Sequence, residues 1–356
     1  MKTRLVLACL SIVPLLAGCS EDRTLSPAPT NLGNDSGISG GVALARPGLQ
    51  PGGYYSLFYT LDPDGYCDFR KINVHNGRAG DIVWKLHVEP YPGQDEEAYG
   101  PYVFGVTFDV DGTMYATLNL ISFDPTKVES RLSRIDAQTG EVTVIGDPVP
   151  FNTAGSDIDA CGNMYVCGFQ VNHLGYIWGN SYLWRIDKTT GEFTQIGDTG
   201  HTNWMDLAFD SHGTLWGTFD NELYSINTET GASTLVTPIY GVPEAGPPHY
   251  QEVMSIAFDD HDILYGTGLT TFWDPPDGSP VMKIDIATGW ATFLGYSMTQ
   301  YANHGGDIMP MKVRVAHRVA EGEYTCIEIS LDALTTHLAH GDYVPGSAGH
   351  EDCDCP

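Results

Sequence analysis

The chain has 356 residues, with 45 Asp and Glu against 17 Lys and Arg, and a formal net charge of −28. That excess argues against nucleic acid or an anionic membrane surface as partners and favours cations or basic patches on other proteins. Charged residues make up only 17% of the chain, so the acidity comes from scarce Lys and Arg rather than from acidic blocks.

Met1-Lys2-Thr3-Arg4 leads into an apolar run from Leu5 to Leu16. Two cations followed by so short a run read as a secretory leader, too short to span a bilayer. The leader ends Leu16-Ala17-Gly18-Cys19, which resembles the lipobox of bacterial lipoproteins. The resemblance implies that Cys19 is acylated and becomes the N-terminus, anchoring the chain to a membrane through lipid alone. Ser20 in place of Asp after the cysteine implies the outer membrane, so the expected location is the bacterial cell envelope or surface. Residues 20–53 are rich in Ser, Pro, Gly and Asn and read as a disordered tether behind the 1–19 leader.

From residue 54 to 310 the chain repeats itself. Four segments run Arg134-Ile-Asp-Ala-Gln-Thr-Gly140, Arg185-Ile-Asp-Lys-Thr-Thr-Gly191, Ser225-Ile-Asn-Thr-Glu-Thr-Gly231 and Lys283-Ile-Asp-Ile-Ala-Thr-Gly289. A weaker copy is Lys71-Ile-Asn-Val-His-Asn-Gly77. Each reads as a hairpin in which the Asp or Asn caps the turn and Gly supplies a positive φ. A second strand–turn–strand motif precedes each strong copy, as in Val106-Thr-Phe-Asp-Val-Asp-Gly-Thr-Met-Tyr-Ala116 and Leu207-Ala-Phe-Asp-Ser-His-Gly-Thr-Leu-Trp-Gly217. Two hairpins per repeat predict an all-β fold, a β-propeller of about five four-stranded blades with six as the alternative. The repeat resembles those of propellers in secreted bacterial proteins. The first copy lacks its leading strand, which His304-Gly-Gly-Asp-Ile-Met-Pro310 is expected to supply by closing the ring. Trp204, Trp216, Trp290 and Tyr265 are expected to pack within blades.

Past Pro310 the pattern breaks into a small ββα module, residues 311–356. Two strands, Met311–Val319 and Tyr324–Ile329, lead to a short helix with Ser330 as N-cap and Gly341 beyond its end. His337 and His340 fall three apart, on one predicted helix face. His317, the Cys326 strand and His337-Leu-Ala-His-Gly-Asp342 resemble a small module at the ends of bacterial secreted proteins. In this chain Ala316 stands where that module has a cysteine, so the resemblance implies that Cys326 pairs with Cys353 or Cys355. His317, His337, His340 and Asp342 form a candidate ligand set for zinc or another late transition metal. A second disulfide is expected between Cys161 and Cys167, which bracket a turn in an exported chain.

Asp62-Pro-Asp-Gly65, Asp109-Val-Asp-Gly112 and Asp274-Pro-Pro-Asp-Gly278 look like fragments of calcium loops but lack the EF-hand continuation, and they read as β-turns. Calcium is therefore a weaker expectation than zinc. Aligning the repeats puts Tyr102, Asn203 and Glu252 at the channel mouth, with His201 and His304 nearby, as a candidate ligand-binding set. The expected function is a non-catalytic binding or interaction module whose ligand is a protein, a glycan or a small molecule. The alternative is an enzyme of the lyase, lactonase or glycan-hydrolase kind. That alternative requires His201 or His304 beside a carboxylate such as Glu252 or Asp307 in one funnel.

Overall fold

The computed structural model describes residues 49–59, 67–88, 99–121, 127–171, 177–202, 204–242, 252–268, 278–297 and 303–345. Cys19, Cys353, Asn203 and most of the tether lie outside them, as do the turns beginning at Asp62 and Asp274.

The two repeated hairpins build five antiparallel sheets of four strands, each a blade running outward from an innermost strand. Blade 2 holds β4 (Tyr99–Phe108), β5 (Met114–Ile121), β6 (Glu129–Ile135) and β7 (Val142–Val149). Blade 3 holds β8 (Asn152–Ile158), β9 (Met164–Val171), β10 (Ile177–Ile186) and β11 (Phe193–Asp198). Blade 4 holds β12 (Asp206–Phe209), β13 (Leu215–Phe219), β14 (Glu222–Ile226) and β15 (Ser233–Pro238). Blade 5 holds β16 (Val253–Phe258), β17 (Leu264–Gly268), β18 (Pro280–Ile284) and β19 (Ala291–Tyr296). Blade 1 combines β1 (Tyr54–Tyr59), β2 (Cys67–Ile72) and β3 (Ala79–Leu86) with β20 (Asn303–Ile308), which pairs antiparallel with β1. The late segment thus supplies the missing innermost strand, and the ring has five blades.

Innermost strands touch in a closed cycle, β4 on β8, β8 on β12, β12 on β16, β16 on β20 and β20 on β4. The apolar core follows the same cycle, one cluster per blade interface. Leu132, Met164 and Ile186 join blades 2 and 3, and Tyr54, Phe58, Tyr265 and Val281 join blades 5 and 1. Burial of these side chains at roughly 25 cal/mol per Å² of apolar surface drives assembly of the ring.

The repeat hairpins form as their residues dictate. Asp136 Oδ1 accepts the amides of Gln138 and Thr139 at 2.8 Å each, and Gly140 closes the turn at φ +74°. Asp187, Asn227 and Asp285 repeat this bonding. The turn glycine has a second duty. A Cβ on Gly191 would lie 2.4 Å from the carbonyl oxygen of Ile145, and one on Gly231 would lie 2.6 Å from that of Gly197. Each turn therefore seats on the outer strand of the preceding blade, where no side chain fits between them. The acidic turns cap themselves likewise: Asp210 Oδ1 accepts the amides of His212 and Thr214, and Asp259 Oδ1 those of His261 and Ile263. Asp109 accepts the Val110 amide and pairs with Lys188.

The C-terminal hairpin β21 (Lys312–Ala320) and β22 (Glu323–Ser330) is followed by a 3-10 turn, Leu331–Ala333, and a helix α1, Leu334–Ala339. Val313, Val315, Leu331, Leu334 and Val344 share one buried cluster with Tyr55, Leu57, Phe108 and Met114 of blades 1 and 2. Residues 49–53, read from sequence as the end of the tether, are tied to the same region. Leu49 is buried there, and Gly52 and Gly53 exchange backbone bonds with Met309.

Four expectations are corrected. Ser330 makes no side-chain cap bond, because the helix proper starts only at Leu334. His340 is the C-cap of α1 and exposed, and it does not join His337 in the ligand group expected of it. Cys167 is a free, buried thiol and does not pair with Cys161. The hairpin register explains this: Ile158 lies opposite Met164 and Ser156 opposite Val166, which leaves Cys161 in the turn and Cys167 deep in the blade. Cys161 and Cys326 are not among the free thiols. Finally, Trp290 is not packed within its blade but is 58% exposed, beside the equally open Tyr240. Trp204, Trp216 and Tyr265 are buried as expected.

Candidate functional sites at the channel and in the C-terminal module

The innermost strands carry Thr107, Asp157 and Asp206, all buried, and the half-buried Asp307. Each carboxylate ties its own strand to a neighbour. Asp307 Oδ2 accepts the Phe108 amide of blade 2 at 2.8 Å. Asp157 Oδ2 accepts the Phe209 amide of blade 4 at 2.5 Å, and Asp206 Oδ2 the Ile256 amide of blade 5 at 3.0 Å. Thr107 Oγ1 stands between Asp157 Oδ1 at 2.9 Å and Asp307 Oδ2 at 3.1 Å. A hydroxyl has one hydrogen to donate, so both contacts are bonds only when one carboxyl also carries a proton. The electrostatics agree. Burial pushes Asp157 well above the usual carboxylate range, and the charge of Asp307 adds to it. Burial likewise raises Asp206 well above that range and Asp307 to about 6. These acids act as clamps between blades, and two of them, Asp157 and Asp307, also line a cavity at the end of the axis.

Below this axis lies a cavity of about 440 Å³, between the acidic turns and the C-terminal hairpin. Asp157, Asp210, Asp259, Asp260 and Asp307 line one side, and Lys312, Arg314 and Glu328 of the hairpin line the other. The module thus covers this end of the channel.

At the opposite end lie two of the expected channel-mouth residues, His201 and Glu252. His201 packs against Trp204, Phe219 and Tyr224 with ring centroids 5.4, 4.6 and 4.6 Å away. Partial burial lowers its pKa, while the nearby Glu222 and Asp220 pull it upward. Glu252 is 8% exposed just ahead of β16, and burial with the charge of Asp220 raises its carboxyl to about 7. His201 and Glu252 therefore share Asp220 as a charged neighbour. Tyr102 stands in β4 opposite Asn119, away from blade 4. His304 belongs to β20, but its side chain, like all of Asn203, lies outside the described residues.

In the C-terminal module, three of the four expected ligands converge. His317 Nδ1 and His337 Nδ1 lie 2.8 and 2.6 Å from the same oxygen, Asp342 Oδ2. The Arg318 amide donates to Asp342 Oδ1 at 2.9 Å. The Asp342 side chain has no exposed surface, whereas those of His317 and His337 are 34% and 22% exposed. Burial raises the Asp342 carboxyl, but bonds from His317, the Arg318 amide and His337 outweigh it and hold the group at about 2. His340 is not part of this group. A second group, Asp259, Asp260 and His261, is half-buried to exposed and consists of consecutive turn residues.

The clamp carboxylates Asp157 and Asp206 were not singled out from sequence. Their signal is a carboxylate directly ahead of an aliphatic residue in an inner strand, Asp157 before Ile158 and Asp206 before Leu207, as Asp307 stands before Ile308. A second missed feature is the recurrent glycine of Ile145-Gly146, Ile196-Gly197 and Leu294-Gly295, which receives the neighbouring blade's turn.

A family described as a repeat of unknown function (DUF6923) matches residues 102–250, which is less than half of the chain. No curated protein matches. A nidogen/laminin complex structure is similar at 14% identity and TM-score 0.40, covering 72% of this chain and 98% of that one. A protein of unknown function from Bacteroides caccae gives 14% identity and TM-score 0.41 over 72% of this chain and 98% of that one. A gluconolactonase from Xanthomonas campestris gives 10% identity and TM-score 0.39 over 74% of this chain and 83% of that one.

Proposed function

We propose that the chain is a lipid-anchored protein of the bacterial cell envelope whose propeller is a non-catalytic binding module. One observation carries the second half of this reading. The axial carboxylates Asp157, Asp206 and Asp307 are bonded to backbone amides of neighbouring blades and so serve the ring itself. His201 is held among aromatic rings rather than against Asp307 or a direct Glu252 contact, which also supports binding over catalysis. The anchor rests on the Cys19 motif. Disulfides at Cys161 and Cys326, neither of which is among the free thiols, belong to the same reading and fit an oxidising compartment outside the cytoplasm. The ligand face is the end of the channel carrying His201, Glu252 and Tyr102. Its partners are a protein, a glycan or a small molecule, basic groups being favoured by the net charge of −28.

Two measurements test the halves separately. In fractionated cells the wild-type chain is expected in the membrane and Cys19→Ala in the soluble or unprocessed fraction; equal partitioning of both removes the anchor. A compound or glycan that raises the melting temperature of the chain from Ser20 onward is expected to be recovered intact after prolonged incubation. Its recovery as a hydrolysis or elimination product would overturn the binding reading.

A further inference from the structure

We propose that His317, His337 and Asp342 form a mononuclear site for a late first-row divalent metal, zinc foremost, that clips the C-terminal hairpin to its helix. The three residues come from three pieces of backbone: the middle of β21, the last turn of α1 and the segment after it. Chain folding has brought their ligand atoms within 4.8 Å of one another. Two imidazoles and one carboxylate are a borderline-soft, three-donor set that suits zinc, with a fourth position left to water. They do not suit calcium or magnesium, which take oxygen donors.

The geometry is nearly that of a filled site. Both imidazole nitrogens now approach one carboxylate oxygen at 2.8 and 2.6 Å. Tetrahedral zinc with ligand bonds of ~2.0–2.1 Å separates its donors by roughly 3.3 Å, so insertion requires each nitrogen to withdraw by about half an ångström. The half-exposed rings have room to do so, while Asp342 is fixed. Its other oxygen takes the Arg318 amide, an outer contact of the kind that orients a ligating carboxylate. Binding needs neutral imidazoles, so hydrogens now shared with Asp342 leave the Nδ1 atoms as the metal enters.

The module also has a use for such a clip. Its apolar residues Val313, Val315, Leu331, Leu334 and Val344 all join the propeller cluster. Along its second strand, β22, residues are exposed or half-buried throughout, leaving little core between hairpin and helix. Small units short of core gain their stability from disulfides or metals.

The test uses the full untagged chain, stripped with chelator and titrated with zinc alone, with cobalt(II) as a spectroscopic substitute. One equivalent of zinc per chain is expected, and cobalt should give the intense visible bands of a four-coordinate site. His337→Ala and His317→Gln are each expected to weaken binding at least tenfold, with the propeller's circular-dichroism signal unchanged. His340→Ala should bind as wild type, since that exposed side chain lies outside the cluster. Wild-type chain that takes up no zinc above a buffer control overturns the proposal. So does His337→Ala binding as tightly as wild type.

Discussion

Asp157→Ala is expected to lower the melting temperature of the propeller by about 10 °C, the larger of the two effects that a substitution at this position can have. Removal of the carboxylate strands the Phe209 and Ile158 amides, while the Thr107 hydroxyl keeps Asp307 as its partner. Each orphaned polar group costs roughly 1–3 kcal/mol, and the two together about 3–5 kcal/mol when the strands relax. Asp157→Asn keeps one acceptor oxygen and should lose clearly less. The same cluster sets a pH dependence of defined sign. Asp307 is raised to about 6 in the folded ring, against about 3.9 for an unfolded aspartate. The folded state therefore holds more protons between those values, so its stability declines as pH rises through about 6. Asp342 has the opposite sign: held at about 2, it contributes stability that is lost as pH falls from the unfolded aspartate value toward 2. Thermal melts from pH 3 to 8 on wild type and Asp307→Asn check the assignment. A wild-type profile flat across pH 4–7 contradicts the buried shared proton.

Gly155→Val is expected to leave no folded chain. A Cβ at this position would stand 1.9 Å from Asp206 Oδ1 and 2.3 Å from Asp206 Cα. The obstruction includes backbone, so rotation of a side chain does not clear it, and blades 3 and 4 must part at the axis. Such overpacking goes well beyond the ~1–3 kcal/mol of an ordinary extra methylene in a core. Gly213→Ala serves as the comparison. Gly213 has φ +80°, with nothing within 4 Å of its added carbon. It should lose only the backbone preference of glycine, about 1–2 kcal/mol. Soluble yield and urea midpoints for the two variants separate crowding from dihedral strain. A folded Gly155→Val would show that the innermost strands have more room than the ring geometry allows.

The fold was legible because its signals are local. An Asp or Asn four residues before a Gly writes a turn wherever it occurs, and five copies write five blades. Strand β20 was also legible, since the first copy lacked a partner that a ring must supply. Convergence of side chains at the channel mouth is less legible, because it depends on loops whose lengths differ among repeats. Tyr102 stands opposite Asn119 in blade 2, whereas His201 packs among the rings of Trp204, Phe219 and Tyr224. His337 and His340 show the same limit on a smaller scale. Helical spacing placed them together, but the helix is six residues long and ends at Ala339, and only His337 gathers with His317 and Asp342. Asp342 joins the first because Gly341, at φ +89°, reverses the chain directly after the helix. The Cys161–Cys167 expectation failed through register, since a hairpin's opposed residues are fixed by where its turn sits and not by cysteine spacing.

Closure of blade 1 also governs when this protein can become folded at all. Tyr54 lies opposite Ile308, so the first strand of the ring waits for nearly the last. Until β20 arrives, β1 presents an unpaired edge, and the apolar groups between blades 5 and 1 stay open to solvent. Contacts this distant in sequence make folding slow and expose intermediates to aggregation. Any chain that stops short of Asn303 carries that open edge permanently. The ring is therefore its own check on near-complete synthesis: only a chain read through to the closing strand can hide the edge, and the C-terminal module starts just three residues beyond it.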